Sequence, residues 1–258
     1  MEIIISTEEL LQKTVQFKNW SGTILTRVFN RTGVPGFELG ALGSAGLLKY
    51  KRRYFVITAS HVVKMVEEEK RRTDVIIPFI NNGKTEILNL IKHADDKQND
   101  IAAFEIETES AKLLEQKTNK SFLDYRLFDE DPLGYFEKIS NVVFLHGISG
   151  EETKFDYDNF SVDMTTTPYT TFIDHVDQES GMIVLMAGKT GKNEFGEEGF
   201  KLPVFNGMSG SFAYSYRRED KENPFRCLGI LTNGEREAGF MWVLPISIVN
   251  DFIEEEFF

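Results

Sequence analysis

Three short stretches place a histidine, a carboxylate and a serine in an order that suits one reaction: Thr58-Ala59-Ser60-His61, Asp100-Ile101-Ala102 and Gly207-Met208-Ser209-Gly210-Ser211. A serine hydroxyl is a poor nucleophile near neutral pH. It needs an imidazole to take its proton and a carboxylate to hold that imidazole in the right tautomer. The chemistry these types imply is attack on an acyl carbon, with His61 as base, Asp100 as orienting carboxylate and Ser209 as nucleophile. Gly207 adds a further element. A glycine two residues before the nucleophile permits a tight turn that aims the amides of Gly207 and Ser209 at one spot, where they would stabilise an oxyanion.

Groups so far apart in sequence must be brought together by the fold. Short β-branched and aromatic runs recur along the chain with turn residues between them, among them 23–29, 45–50, 53–58, 101–106, 139–145, 182–187, 211–216, 227–231 and 239–243. Many short strands without a linker indicate an all-β barrel or sandwich architecture. Three segments read as helices: 61–71, 110–117 and 245–257. The last opens on Pro245 and carries Ile246, Val249, Phe252 and Ile253 at helical spacing. Its acidic run Glu254-Glu255-Glu256 opposes the helix dipole, so fraying is expected there. His61 and Asp100 fall in the first half and Ser209 in the second, which puts the site in a cleft between halves.

Composition narrows the function class. The net charge of −12 disfavours nucleic-acid binding by phosphate neutralisation, and the basic clusters Lys51-Arg52-Arg53 and Lys70-Arg71-Arg72 read as solvated turns and helix ends. No stretch is long and apolar enough for a membrane helix, and the N-terminus lacks a secretory signal pattern, so an intracellular, cytoplasmic protein without membrane insertion is expected. The single cysteine, Cys227, precludes an intrachain disulfide, and in the apolar run 225–231 it reads as a small buried hydrophobe. His93 and His175 read as loop residues near aspartates, and His146 ends an apolar run. Their spacing fits no zinc motif, so neither metal nor cofactor is expected. Asp95 and Asp96 rival Asp100 but precede a turn without a following apolar strand, and read as solvated loop carboxylates.

The three motifs together, in this order, resemble those of the trypsin-like serine peptidases over roughly residues 20–255. In that family the histidine follows a strand in T-A-x-H, the aspartate opens a D-[IL]-A strand, and the serine lies in G-x-S-G-[GS]. The resemblance implies two six-stranded antiparallel β-barrels of the chymotrypsin type, at about 20–119 and 135–244, with a C-terminal helix. It further implies a protein or peptide substrate and a pocket walled by 201–206, by Thr232, Asn233 and Gly234, and by residues near 239–240. The trypsin position that selects basic side chains corresponds to Pro203, so basic specificity is not implied. Thr232 to Gly234 would be an edge strand that pairs with substrate backbone.

Met208 stands where secreted members carry the aspartate that pairs with a freed N-terminal amine, which places the resemblance closer to bacterial intracellular or heat-shock-type members. Regulation would then fall to loop ordering or a partner protein. The acidic stretch 150–199, dotted with glycine toward its end, reads as a mobile loop beside the site. A peptide-binding module with the same fold but an unassembled triad stands as the alternative.

Overall fold

Apolar runs bounded by turns become strands in two groups, one in each half of the chain. The structure is a computed structural model describing residues 6–31, 39–63, 75–81, 84–129, 142–150, 154–156, 161–163, 165–188, 190–191, 197–201, 205–235 and 237–258. The first group is β1 (Leu25–Arg31), β2 (Leu39–Tyr50), β3 (Arg53–Thr58), β4 (Val75–Ile76), β5 (Leu90–Asp96), β6 (Ile101–Ile106) and β7 (Leu123–Asp124). It forms one seven-stranded sheet in the order β4-β1-β2-β3-β6-β5, with β7 parallel beside β2. Among the described residues β4 and β5 do not pair, so this half is a curled half-barrel where a closed six-stranded barrel was expected. The strands between them, Pro78–Asn81 and Lys84–Ile87, pair with each other. Among the described residues neither strand of this hairpin pairs with β4 or β5.

The second group is β8 (Val142–Ile148), β9 (Thr166–Val176), β10 (Ile183–Met186), β11 (Phe212–Tyr216), β12 (Phe225–Glu235) and β13 (Phe240–Pro245). These close into an antiparallel barrel in the order β8-β9-β10-β13-β12-β11, as expected for this half. β10 is the strand expected at 182–187; it and β9 lie inside the 150–199 stretch, so the loop reading does not hold for that part. Residues 192–196 of the stretch's glycine-dotted end lie outside the described residues. Cys227 is fully buried in β12, and burial pushes its thiol pKa up, consistent with a packing role.

The first and last helices seal the seam between the halves. α1 (Thr7–Ile24) was not anticipated from sequence. Ser6 caps it by accepting from the Glu9 amide at 3.1 Å, and Phe17 and Ile24 are buried. The Phe17 ring meets Phe144, Tyr214 and Phe225 at centroid distances of 5.2, 5.3 and 5.2 Å. α2 (Thr108–Lys117) matches the second predicted helix within two residues, while 64–71 of the first lies outside the described residues. α3 (Ile246–Phe257) buries Ile246, Val249, Phe252 and Ile253, as their spacing predicted. One apolar cluster fills the half-barrel and another fills the closed barrel. A third joins the two halves and receives Phe17 and the α3 face. Among the described residues no helix is long and apolar enough to cross a membrane.

The expected fraying of α3 is absent. Glu254 pairs with Lys51 at 2.6 Å and accepts from the Tyr50 hydroxyl at 2.6 Å. The Lys51 and Tyr50 bonds hold the Glu254 carboxyl below its ordinary pKa. Arg53 donates to the Phe257 carbonyl and Lys92 to the Glu256 carbonyl. Cations at a helix C-terminus satisfy its open carbonyls and oppose its negative end. Lys51 and Arg53, read as solvated, thus form a basic clamp; the cluster at 70–72 lies outside the described residues.

Candidate active site

The rim of the half-barrel positions the imidazole and its carboxylate. β3 ends at Thr58, and the chain turns at once into a helical turn at 60–63, which carries His61. Asp100 immediately precedes β6 and has φ +55°, a left-handed conformation that aspartate tolerates better than most side chains. That conformation turns both carboxylate oxygens to one residue. Asp100 Oδ2 lies 2.8 Å from His61 Nδ1, and Oδ1 accepts the His61 backbone N–H at 2.8 Å. The carboxylate therefore fixes both the ring and the backbone that bears it, and the His61 side chain remains 48% exposed for a partner.

The turn that delivers Asp100 is organised by Asp96, one of its sequence rivals. Asp96 accepts from the amides of Gln98 and Asn99 at 2.8 and 3.2 Å and from the Asn99 side chain at 2.5 Å. Burial works against its charge, but these bonds outweigh it and hold the carboxyl below its ordinary pKa. Asp96 is thus a turn-builder at the end of β5, a role the sequence reading missed.

The closed barrel supplies Ser209 on a turn between 205 and 211. Met208 N donates to Phe205 O at 2.9 Å and Ser211 N to Met208 O at 3.0 Å. Gly210 N and Leu231 O then tie the turn to β12 at 2.8 Å. Gly207 and Gly210 have φ +88° and +90°. A Cβ on Gly210 would lie 2.2 Å from Ser44 O and 2.3 Å from Thr58 Oγ1; one on Gly207 would lie 2.7 Å from Gly150 N. Both positions therefore require glycine for conformation and for space. The Asn206 carbonyl accepts from Gly150 N at 2.8 Å. The trans Asn206–Gly207 peptide thus sends its N–H the opposite way. Neither the Gly207 nor the Ser209 amide meets an acceptor among the described residues.

Ser44, which sequence reasoning passed over, joins the halves at this turn. It is fully buried; its amide and hydroxyl donate to Gly207 O at 2.9 and 2.6 Å, and its Oγ accepts from Ile148 N at 3.0 Å. Its carbonyl accepts from Thr58 Oγ1 at 2.8 Å, three residues before His61. The run Gly43-Ser44-Ala45-Gly46 is the signal that could have revealed this, since small residues permit close backbone approach. A Cβ on Gly43 would lie 2.9 Å from both Val62 methyls and 3.4 Å from Ser209 O. The neighbour of His61 and the backbone of Ser209 therefore converge on one point of β2. Among the described residues no hydrogen bond joins Ser209 Oγ to the His61 ring.

The remaining site residues divide. Pro203 lies outside the described residues. Thr232, Asn233 and Gly234 lie in β12 beyond Ile230, where pairing with β11 ends while pairing with β13 continues to Glu235. Thr232 is buried and its hydroxyl donates to Trp242 O at 3.3 Å; the exposed Asn233 accepts from Gly234 N at 2.8 Å. Met208 is fully buried in the barrel's apolar cluster beside Val143, Leu145 and Phe205.

The other histidines occupy strands. His93 stacks on Phe104 in β5 with centroids 6.0 Å apart, and His175 of β9 meets Asp174 at 2.7 Å, so both correct the loop reading. His146 is buried, with Nδ1 2.8 Å from Ser21 Oγ of α1, and its Nε2 has no partner among the described residues. Burial, reinforced by Lys18 and Lys120, lowers its pKa from 6.5 to about 4, so it is a neutral packing group near pH 7. No protein-family model matches the chain, and a search of curated proteins finds no match.

Proposed function

We propose that the chain is a trypsin-like serine endopeptidase that hydrolyses a protein or peptide substrate through an acyl-enzyme on Ser209. The observation that carries this reading is the two-point grip of Asp100 on His61, on a rim that meets the Ser209 turn at Gly43. In the reaction, Ser209 Oγ attacks the carbonyl carbon as its proton passes to His61 Nε2, while Asp100 holds Nδ1–H and stabilises the imidazolium. The carbonyl oxygen, now negative, takes the amides of Gly207 and Ser209. His61 then gives its proton to the leaving amine as the C–N bond breaks, and water, activated by the same imidazole, releases the acyl group. No cofactor enters these steps.

Met208, apolar and buried, offers no charge to pair with a freed N-terminal amine. The turn is tied to the other half by Ser44 in its place. Regulation, where it occurs, would act through that seam or through a partner protein.

A fluorophosphonate probe tests the reading directly. Ser209 should label in the folded protein, and Ser209→Ala and His61→Ala should each abolish both labelling and peptide hydrolysis. Proteolysis that persists in folded Ser209→Ala would sink the assignment. The second reading, a peptide-binding module of the same fold, draws on the missing Ser209–His61 hydrogen bond. Catalytic contacts are often loose before substrate binds, so that reading predicts peptide binding with no labelling under any condition.

A further inference from the structure

We propose that Phe205 sets the specificity of this site by closing the slot beneath Gly234, so that only glycine, alanine or serine fits on the acyl side of the cleaved bond. The inference rests on the endopeptidase reading and deepens it. The nucleophile turn is tied to β12 at Leu231, one residue before the stretch that has lost its β11 partner. On the trypsin-like reading, an extended substrate laid along Thr232–Glu235 with its carbonyl at Ser209 directs the side chain just before that carbonyl between two walls. One is the segment leading into the turn, at Phe205–Asn206; the other is Thr232–Gly234.

These walls are already in contact. A Cβ on Gly234 would lie 2.9 Å from Phe205 Cδ2 and 3.0 Å from Phe205 Cβ and Cγ. The ring therefore occupies the space a bare glycine would otherwise open. Phe205 is buried and is held edge-on by Tyr169, with centroids 5.7 Å apart at 80°. Tyr169 is in turn anchored, its hydroxyl accepting from Gly188 N at 3.1 Å. A ring packed on both sides does not yield easily to an incoming side chain. Asn233 Oδ1 accepts the adjacent Gly234 amide at 2.8 Å, which fixes the local backbone at that glycine.

The test profiles a peptide library with the full chain in three forms: unsubstituted, Phe205→Ala and Phe205→Leu. Fluorophosphonate labelling of Ser209 and a thermal melt are run on each. The unsubstituted protein should cleave after glycine, alanine or serine, and disfavour leucine, phenylalanine and arginine by about 100-fold in kcat/KM. Phe205→Ala should raise cleavage after leucine or phenylalanine, relative to alanine, by at least about 10-fold, with Phe205→Leu intermediate. A native preference for large or charged side chains overturns the proposal, even if Phe205→Ala fails to fold. So do labelled, folded variants with an unchanged profile, which would leave the endopeptidase reading intact. Failure of Ser209 to label in all three forms sinks that reading and this inference with it.

Discussion

In the half-barrel, His61 and Asp100 are held by side-chain hydrogen bonds on a half-exposed rim, with Asp100 itself in a left-handed conformation. In the closed barrel, Ser209 rides on a turn fixed by backbone bonds and by two glycines packed against the opposite half. The first arrangement tunes chemistry through side-chain identity; the second sets position through backbone shape. Side-chain substitutions in the half-barrel should therefore cost activity with little cost in stability. Added Cβ atoms in the barrel turn should cost both.

Asp100→Asn is the sharpest break in that contrast. Asparagine tolerates the left-handed backbone, yet it cannot hold the imidazole tautomer with a negative charge. Turnover should fall on the order of 10⁴-fold while unfolding free energy moves by less than about 1 kcal/mol. Peptide hydrolysis with a parallel urea titration measures both, and a large loss of stability would erase the distinction.

Gly210→Ala probes the other side. Its Cβ would press on Ser44 O at 2.2 Å and Thr58 Oγ1 at 2.3 Å, on a backbone at φ +90°. We expect about 3 kcal/mol of destabilisation in urea unfolding, together with loss of turnover as the Ser209 turn shifts. Retained stability would mean that the two halves separate at this point without penalty.

His146 joins α1 to the barrel, and its pKa gives a pH test of that seam. The folded value, about 4, lies below the ordinary 6.5, so between those values the unfolded chain binds a proton that the folded chain does not. Stability from this residue is therefore complete above about pH 6.5 and is lost as pH falls toward 4, roughly 3 kcal/mol in all. Comparing the native protein with His146→Gln at pH 7.5 and 4.5 isolates the contribution from the titrating carboxylates. Parallel pH profiles would show that His146 does not titrate on unfolding.

The smallest effect belongs to the clamp on α3. Lys51→Ala should cost about 0.5 kcal/mol at low salt and less at high salt, because the Lys51–Glu254 pair is partly exposed. A salt-independent loss would assign the effect to the Lys51 ammonium over the Phe258 ring, 4.6 Å from its centroid, in place of the ion pair.

The elements that carry the proposed chemistry were legible because their signals are local. Strands 53–58 and 101–106 coincide with β3 and β6, and the four spaced apolar residues of α3 are all buried. α1 had a local signal too, since Ser6 stands three residues before Glu9 and Leu10, Phe17 and Ile24 recur at helical spacing. That segment was weighed only as a targeting signal, so its helical pattern went unread. Fraying of α3 was wrongly expected because a dipole argument within one helix omits cations brought by β2, β3 and β5.

Residue types and order alone determined the candidate groups: an imidazole, a carboxylate, a serine and the glycine before it, with a mostly β chain to carry them. Only the tertiary structure decided that, among the described residues, one half closes and the other does not, since closure depends on which distant edges find each other. It also decided that Ser44 bridges the halves and that Phe205 fills the space left by Gly234. Those contacts join residues far apart in sequence, and no local pattern encodes which small residue will meet which ring.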